Sequence, residues 1–374
     1  MVKSALVIGG TGPTGPSIIA GLLERGFDVS IFHRGTHEPP DLPEVRHIHG
    51  DPHFPDTIAA SVGTGSYDVV VAAYGRTKIL AESFAGRAGH FLAIGGSPRY
   101  AGFNEPQLLC PYGPALPIGE DAPSALTVEA AGSAAIKFAQ HIVRTEEAVF
   151  AQHPDATYFV YPIVYGPRTV WPWEWSVIRR VNDGRRTILI PDNGLALHSR
   201  VSAENAAELL LRAIDQPTIS RGNRYNAGDA QQYTVRQWVE LLLEGLGATA
   251  ELVSVPSVIA PWVRAMYSPT SGSISDHNLL DTAKARYELG MRDVIGIRPA
   301  VRQLLDWYDR NPVDEANTPA FVDRFDYDLE DTLIASWTAA SADLARIAHQ
   351  PLPGDVHPMA HPKQAGQLSD GKGR

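Results

Sequence analysis

Tyr74 and Lys78 have types and a spacing that could transfer a proton. They stand four residues apart in AAYGRTK, directly after the apolar run YDVVVAA. An unassisted phenol has a pKa of about 10 and is a poor base at neutral pH, so a nearby cation that favours its ionised form would matter. The pair has the composition of a general acid–base site, and its role depends on where the fold places it.

The N-terminal stretch VIGGTGPTGPSIIAG has the glycine spacing of a dinucleotide-binding loop. Gly9, Gly12 and Gly15 follow a predicted strand and precede a predicted helix. Glycines let the backbone turn sharply and approach a pyrophosphate, whose charge the helix N-terminus then meets. Pro16 suits the first helical turn, where its missing N–H costs nothing. We predict a dinucleotide site here, with a purely structural glycine loop as the alternative.

The end of the second predicted strand, DVSIFHRG, indicates which dinucleotide binds. An acidic residue there would hydrogen-bond the ribose hydroxyls of NAD, but this chain has His33 and Arg34. A charge-assisted bond from Arg34 to a 2′-phosphate is worth about 1.5–3 kcal/mol, or roughly ten- to a hundredfold in affinity. The sequence therefore predicts NADP (NADPH), unless Arg34 is an ordinary surface charge. Asp51 could accept from the adenine amine, or could form a turn before Pro52.

Composition limits the possible partners. The formal net charge is −10 and no run of Lys or Arg occurs, so a nucleic acid or an anionic membrane surface is not expected as a partner. With one cysteine, Cys110, the chain can form neither an internal disulfide nor a thiolate metal cluster. No signal peptide or membrane span is predicted. We expect a cytoplasmic protein that binds a small molecule.

Apolar runs alternate with helical patterns over the first half of the chain, which is typical of a parallel sheet with crossover helices. The runs are ALVIGG, DVSIFHRG, YDVVVAA, HFLAIGG and ATYFVYPIVYG. A Pro- and Gly-rich insertion at 97–123 and then a helix, predicted over ALTVEAAGSAAIKFAQHIVRTEEAVFAQH, separate the last two runs. The predicted class is α/β, a Rossmann-type doubly wound parallel sheet with a smaller C-terminal mixed α/β substrate lobe.

The same pattern divides the chain into four segments. Residues 1–166 are predicted to form the main part of the NADP-binding Rossmann domain. Residues 167–312 form mainly the substrate-binding lobe, with elements that return to the Rossmann domain, and 313–350 form a helical extension. Residues 351–374, rich in Pro, Gly and His, are predicted to be a disordered tail. Its scattered histidines lack ligand spacing, and we predict no metal site.

Several motifs in order resemble the extended short-chain dehydrogenases/reductases, a family of NAD(P)-dependent epimerases, dehydratases and reductases. The resemblance runs from about residue 3 to residue 312, through GGTGPTG, VYGPR, NRYNAGD and LDTAKARYELG. It implies a Rossmann domain, a small lobe that closes over substrate, and a homodimer. The predicted cofactor contacts are Gly9, Thr11, Gly12, Pro13, Thr14, Gly15, His33, Arg34, Asp51, Pro52, Ala72, Ala73, Tyr74, Lys137, Pro162 and Val164.

The resemblance also implies where a catalytic Tyr-x-x-x-Lys pair should lie, namely on the long helix after the fifth strand. Tyr74 and Lys78 instead follow the fourth strand, so we exclude them as that pair and keep Tyr74 as a residue that could line the pocket. Counting back from VYG puts Lys137 in the lysine position, with Ser133 where the tyrosine should be. A second register, set by the acidic segment TEE, puts Phe138 and Ile142 there.

The serine of the family is displaced too. Gly95 and Gly96 occupy its positions, and Ser97 comes one residue later. Three explanations stay open. The acid could come from Tyr100, Tyr112 or Tyr165. Reduction of a conjugated C=C bond could proceed with a weaker acid, because hydrogen bonds can stabilise an enolate that water then protonates. Or NADP could be bound without turnover. The predicted catalytic residues are Ser97, Tyr100, Ser133, Lys137 and Tyr165.

The segment YGPRTVWPWEW indicates a substrate wall or a packing anchor. Its aromatic residues Tyr165, Trp171, Trp173 and Trp175 follow the last strand, and apolar linings are typical of small-molecule pockets. The sequence therefore predicts an NADP-dependent oxidoreductase acting on a small, hydrophobic or aromatic carbonyl or enone. The alternatives are a redox-neutral enzyme on a sugar nucleotide, whose second pyrophosphate Arg179, Arg180, Arg185 and Arg186 could bind, and a non-catalytic NADP-binding regulator.

Overall fold

The structure is a computed structural model. It describes residues 2–36, 38, 42–129, 132–267, 276–318, 321–349 and 364–366. Two compact units divide the chain, Met1–Phe325 and Asp326–Arg374. The second unit contains the helix α12 (Tyr327–Ile347). Apart from 364–366, the tail predicted at 351–374 lies outside the described residues.

A seven-stranded sheet forms the centre of the first unit. Its strands are β1 (Ser4–Ile8), β2 (Asp28–His33), β3 (Arg46–His49), β4 (Tyr67–Ala72), β5 (Ala88–Gly96), β6 (Thr157–Tyr161) and β10 (Arg224–Asn226). All pair in parallel in the order β10-β6-β5-β4-β1-β2-β3. The chain order reverses beside β1, and in such sheets ligands bind outside the carboxyl ends of the strands at that point. The predicted α/β fold with a parallel sheet is confirmed.

Helices cover both faces of this sheet. They are α1 (Gly15–Glu24), α2 (Pro55–Val62), α3 (Thr77–Ser83), α4 (Ala134–Gln152), α6 (Ala203–Asp215), α7 (Pro217–Ser220) and α10 (Ala283–Glu288). Val7 of β1 is buried with Ile18 of α1 and Leu210 of α6. The next residue, Ile8, points to the other face and is buried with Leu80 of α3. Side chains alternate between the two faces of a strand, and both faces of these strands are buried. The strands therefore appear in the sequence as continuous apolar runs.

The smaller lobe has two short parallel sheets. β7 (Ile163–Tyr165) pairs with β9 (Arg200–Ser202), and β8 (Thr187–Pro191) pairs with β11 (Glu251–Val255). Its helices are α5 (Trp175–Asn182), α8 (Val235–Gly245), α9 (Pro261–Ala265) and α11 (Ile297–Arg310). Pro162 separates β6 from β7, since it has no N–H to donate to a ladder.

The helix predicted from residue 125 begins later than expected. Ala125–Thr127 form a short 3-10 turn, and α4 begins at Ala134. Ser133 caps α4 by accepting a hydrogen bond from the Ile136 amide, and Gly132 has a φ of +89°. Hydroxyl capping and a left-handed glycine both interrupt a helix at this point. In the part of the chain that the structure describes, no helix is long and apolar enough to cross a membrane.

Candidate functional site

The glycine loop after β1 has the shape of a phosphate cradle. A Cβ atom on Gly15 would lie 2.1 Å from the Gly10 carbonyl oxygen, and one on Gly9 would lie 2.8 Å from the Tyr74 Cβ. Gly9 and Gly10 also have positive φ values, +103° and +77°. By contrast, a Cβ on Gly12 would meet nothing within 4 Å. The loop therefore packs against its own backbone and against Tyr74, and leaves open space over Gly12.

The N-terminus of α1 adjoins this open space. α1 begins at Gly15 with Pro16 in its first turn, and no side chain caps it at Thr14. The first N–H groups of a helix have no partner within the helix, and they attract anions. The loop residues predicted to contact cofactor, Thr11 to Gly15, thus lie together between β1 and α1. The Gly15 amide donates to the Gly12 carbonyl oxygen at 3.2 Å, so the open space beside the helix end is the feature that suits a pyrophosphate.

Arg34 and Tyr74 lie at the same edge of the sheet, after β2 and β4. The Arg34 guanidinium carbon is 5.5 Å from the centre of the Tyr74 ring, and both side chains are exposed, Tyr74 by 42%. His53 contacts the other edge of Tyr74, with ring centres 5.2 Å apart. Asp51 accepts from the His53 amide, and this bond lowers the pKa of the Asp51 carboxyl. Four residues from three loops thus form one polar rim beside the glycine loop.

The carboxyl end of β5 packs against α4. A Cβ on Gly96 would lie 3.8 Å from Ile142 Cδ1 of α4. Four residues after Ile142, Glu146 is buried and binds Arg99, with 2.8 Å between Glu146 Oε2 and Arg99 Nε. The stripe of α4 that faces the end of β5 therefore contains Ile142 and Glu146. This arrangement favours the register that places Phe138 and Ile142 at the Tyr and Lys positions.

Glu146 is a structural residue that sequence reasoning missed. Its carboxylate also accepts from Arg224 at the start of β10. A buried carboxylate between two guanidinium groups ties α4 to the first turn after β5 and to the edge strand. Removing one partner of such a buried group leaves an uncompensated charge and is strongly destabilising. The acidic segment TEE was the only signal of it in the sequence.

Lys137 and Ser133 lie away from the end of β5. Lys137 is exposed, and in the described residues its ammonium group has no hydrogen bond or ion pair. Helix positions advance by about 100° per residue, so Lys137 lies about 140° around α4 from Ile142. The Ser133 hydroxyl caps α4 and donates to Glu105. Ser97 is buried at the first position after β5.

Two of the tyrosines proposed as acids are buried. The Tyr100 hydroxyl donates to Asn226 at 2.6 Å, and burial raises its pKa to about 12. The Tyr165 hydroxyl donates to Asp229 at 2.7 Å, and burial together with that carboxylate raises its pKa strongly. Both protons are already committed to internal acceptors. Tyr112 is 64% exposed and donates to Asp276.

The aromatic residues after β7 pack the small lobe. Trp175 is buried against Tyr308 and donates to Glu315 at 2.8 Å. Trp173 lines an internal cavity of about 10 Å³, shared with Trp238 and Tyr267. A cavity of that volume holds about one water molecule. Trp171 is 46% exposed. These positions support the packing interpretation for Trp173 and Trp175 and leave Trp171 available to a ligand.

Two of the four arginines suggested for a second pyrophosphate, Arg179 and Arg180, are already paired. Arg179 binds Glu315 at 2.5 Å and Asp183 at 2.8 Å. Arg180 is fully buried and binds Asp323 at 2.6 Å. Carboxylates thus neutralise both guanidinium groups, so a phosphate would have to displace them.

Glu174 is a buried carboxyl in the same lobe. It is 4% exposed, and its Oε2 has no hydrogen-bond partner. Burial raises the pKa of Glu174 to about 7, and burial lowers the pKa of the neighbouring Arg200 to about 10. Arg200 also lies 4.7 Å from the centre of the Trp238 ring. The Glu174 carboxyl therefore titrates near neutral pH in the folded protein.

We expect this carboxyl to weaken the fold as pH rises. The folded protein keeps the Glu174 proton up to a pKa of about 7, whereas the unfolded chain loses it near the ordinary value of 4.5. The folded state binds more protons in that window, so the free energy of unfolding falls between these pH values, by about 3 kcal/mol in total. Urea unfolding of the wild type and of Glu174→Gln from pH 4.5 to 7.5 measures this fall in the free energy of unfolding.

The difference between the two proteins isolates Glu174. Burial also raises the pKa of Asp229 to about 6 and lowers that of His90 to about 4, and these groups titrate in both proteins. We predict that the stability of the wild type relative to Glu174→Gln decreases steadily with pH. Parallel curves would show that folding does not raise the pKa of Glu174.

The comparisons with known proteins agree with the geometry. WbmH of Bordetella bronchiseptica, solved with NAD+, superimposes with a TM-score of 0.62 at 16% identity over 84% of this chain and 100% of its own. UDP-glucose 4-epimerase of Thermotoga maritima, solved with UDP-glucose, gives 0.61 at 15% over 82% and 99%. dTDP-glucose 4,6-dehydratase of Bacillus anthracis, solved with NAD, gives 0.57 at 15% over 83% and 98%.

This chain has the fold of the extended short-chain dehydrogenases/reductases. The resemblance predicted from the sequence motifs is thus confirmed at the level of the fold. No protein-family model and no curated protein matches the sequence. At these identities the similarity concerns architecture, and reaction and substrate must be argued from the residues of this chain.

Proposed function

We propose that the chain binds NADP(H) across the carboxyl ends of β1, β2 and β4. The observation that carries this proposal is the contrast among the loop glycines. Gly9 and Gly15 are in contact with other atoms where a Cβ would be, while Gly12 faces open space at the N-terminus of α1. A loop that excludes side chains and leaves a void at the start of a helix suits a pyrophosphate.

Further chain groups would hold the rest of the dinucleotide. Asp51 and Pro52 would bound the adenine, and Ala72, Ala73 and Tyr74 would follow the cofactor along the end of β4. Pro162 and Val164, partly buried beyond β6, would close the far side. When bound, the cofactor would supply hydride transfer. Two solved structures of the same fold contain NAD, which supports binding of this class of cofactor.

The preference for NADP over NAD follows from Arg34. It follows β2 directly and is exposed beside Tyr74. A guanidinium group recognises phosphate with two parallel hydrogen bonds, whereas the NAD ribose hydroxyls would call for an acidic acceptor. The neighbouring His33 is buried, and burial lowers its pKa. Arg34 is therefore the cation that we assign to the 2′-phosphate.

We further propose an oxidoreductase that does not use a Tyr–Lys pair, and that reduces a small apolar carbonyl or enone. Ile142 and Gly96 meet at the end of β5, where proton transfer would need polar groups. An enolate formed from an enone can be protonated by water, so that reaction needs the fewest protein acids. Trp171, exposed after β7, suits an apolar substrate. We also propose that the protein forms a homodimer.

The apolar contact between Ile142 and Gly96 equally favours a second function, an NADP-binding regulator without turnover. A redox-neutral enzyme on a sugar nucleotide is a third. The solved structure with UDP-glucose supports it, while the ion pairs of Arg179 and Arg180 weigh against it. Incubating the protein with NADPH and a panel of aromatic ketones and enones, followed at the nicotinamide absorbance, separates these functions. Oxidation of NADPH by an enone supports the reductase, whereas no oxidation across the panel favours the regulator or the redox-neutral enzyme.

Lys137→Ala tests the remaining candidate for an active ammonium group. We expect turnover of a panel substrate to stay within about twofold of the wild type, because Lys137 faces away from the end of β5. Arg144→Ala, which also removes an exposed cation of α4, is the matched control. A large loss of turnover with Lys137→Ala alone would assign the ammonium group to the reaction.

A further inference from the structure

Three histidines share one face at the β2–β3 edge of the sheet. His47 and His49 lie two residues apart on β3, so their side chains point to the same face. His33, the last residue of β2, pairs with His49 across the parallel ladder. Paired residues on adjacent strands point to the same face of the sheet, so His33 lies on the same face as His49 and His47. All three imidazole rings are therefore close together.

Glu38, from the connection between these strands, completes the cluster. One carboxylate oxygen, Oε1, lies 2.7 Å from His49 Nε2, 3.5 Å from His47 Nδ1 and 3.6 Å from His33 Nε2. His33 Nε2 is 3.1 Å from His47 Nδ1. These four atoms all lie within 4.8 Å of one another. Four potential ligand atoms thus point at one small volume.

We propose that His33, Glu38, His47 and His49 bind a divalent transition-metal ion of the Zn²⁺ class. Tetrahedral Zn²⁺ with bonds of about 2.0–2.1 Å separates its ligand atoms by about 3.3 Å. The distances observed around Glu38 Oε1 bracket that value, so small side-chain shifts suffice. Imidazole nitrogen with one carboxylate oxygen is a ligand set that suits Zn²⁺, Ni²⁺ and Cu²⁺, and not Mg²⁺ or Ca²⁺.

The cluster is accessible to an ion from solvent. The His49 side chain is 58% exposed, that of Glu38 41% and that of His47 27%, whereas His33 is buried. The His33 ring needs one change. The Gly35 amide donates to its Nδ1 at 3.2 Å, and a neutral histidine that binds metal through Nε2 carries its proton on Nδ1. Metal binding therefore replaces this long hydrogen bond.

The proposed metal site goes beyond the proposed function and shares only His33 with the predicted cofactor contacts. His33 precedes Arg34, but the four ligands come from β2, β3 and their connection and include no residue of the glycine loop. The site is an alternative to the sequence-based prediction of no metal site, which was argued from the tail histidines. A bound ion would fix Glu38 against the edge strand.

Calorimetric titration of Zn²⁺ into the full chain, treated with a chelator and without an affinity tag, tests the proposal. We expect one equivalent to bind with micromolar or tighter affinity and to raise Tm, because an ion that binds only the folded state stabilises it. Visible absorbance of bound Co²⁺ should show tetrahedral coordination. The double substitution His47→Ala with His49→Ala should weaken binding at least about tenfold.

Two further variants keep the result interpretable. His53→Ala with His141→Ala removes two other imidazoles outside the cluster and should leave Zn²⁺ binding unchanged. Glu38→Gln changes an exposed side chain, so it should fold normally and still weaken binding. Equal Zn²⁺ affinity in the wild type and in the His47/His49 double variant would overturn the proposal, as would octahedral Co²⁺.

Discussion

Gly12→Val is expected to abolish NADPH binding, with at least about a hundredfold loss of affinity, while the protein stays folded. A Cβ at Gly12 meets no atom within 4 Å, and the residue has no positive φ. The new side chain therefore fits the free protein and fills the space that we assign to the pyrophosphate. Losing close approach to that group removes several charge-assisted hydrogen bonds, each worth about 1.5–3 kcal/mol. Fluorescence titration with NADPH, beside a thermal melt, measures both effects.

Gly65→Val is the matched control, because a Cβ at Gly65 also meets nothing within 4 Å and that residue lies far along the chain from the loop. Gly15 would be a poor choice, since a Cβ there would overlap the Gly10 carbonyl oxygen at 2.1 Å and any loss of binding would report misfolding. If Gly12→Val binds NADPH as tightly as the wild type, the pyrophosphate does not lie over Gly12.

Arg34→Glu is expected to weaken NADPH binding by about a hundredfold and to leave NADH binding within about threefold. The guanidinium group contributes a charge-assisted interaction of about 1.5–3 kcal/mol with the 2′-phosphate, and the introduced carboxylate adds repulsion. NADH has no phosphate at that position. Parallel titrations with the two nucleotides at one ionic strength give the ratio directly.

Arg46→Glu controls for the change in net charge. Arg46 is exposed at the amino end of β3, whereas the glycine loop follows the carboxyl end of β1. It should reduce NADPH affinity only slightly, through long-range electrostatics that salt screens. Equal losses for NADPH and NADH with Arg34→Glu would contradict the 2′-phosphate assignment and return Arg34 to an ordinary surface charge.

Sequence alone predicted the parts of the fold that local patterns determine. Buried strands read as apolar runs, and glycine spacing between a strand and a helix marked the loop at Gly9 to Gly15. Both signals depend on neighbours along the chain. They therefore predicted the parallel sheet and the glycine loop between β1 and α1 without knowledge of tertiary contacts.

Contacts between distant segments could not be read in the same way. Tyr100 is buried because its hydroxyl meets Asn226, more than a hundred residues later. The choice between Lys137 and Ile142 on α4 depended on which side chain meets Gly96, and a shift of a few residues in register decides it. A sequence pattern predicts that a helix exists more reliably than it predicts which side chains face a given neighbour.

The histidine cluster had a partial signal. His47 and His49 stand two residues apart on a predicted strand, and this spacing puts both on one face. Nothing local indicated that His33 would pair beside His49, or that Glu38 would reach the same point. The pairing of β2 with β3 brings His33 beside His49, and only the structure shows Glu38 at the same point.

Binding of NADP(H) in the loop after β1 is the basis of the proposed function. Titrating NADPH and NADH into the purified wild-type protein and following nicotinamide fluorescence tests it most directly. We predict saturable binding of both nucleotides, with NADPH bound roughly ten- to a hundredfold more tightly because of Arg34. Absence of binding by either nucleotide would contradict the assignment of the glycine loop as a dinucleotide cradle.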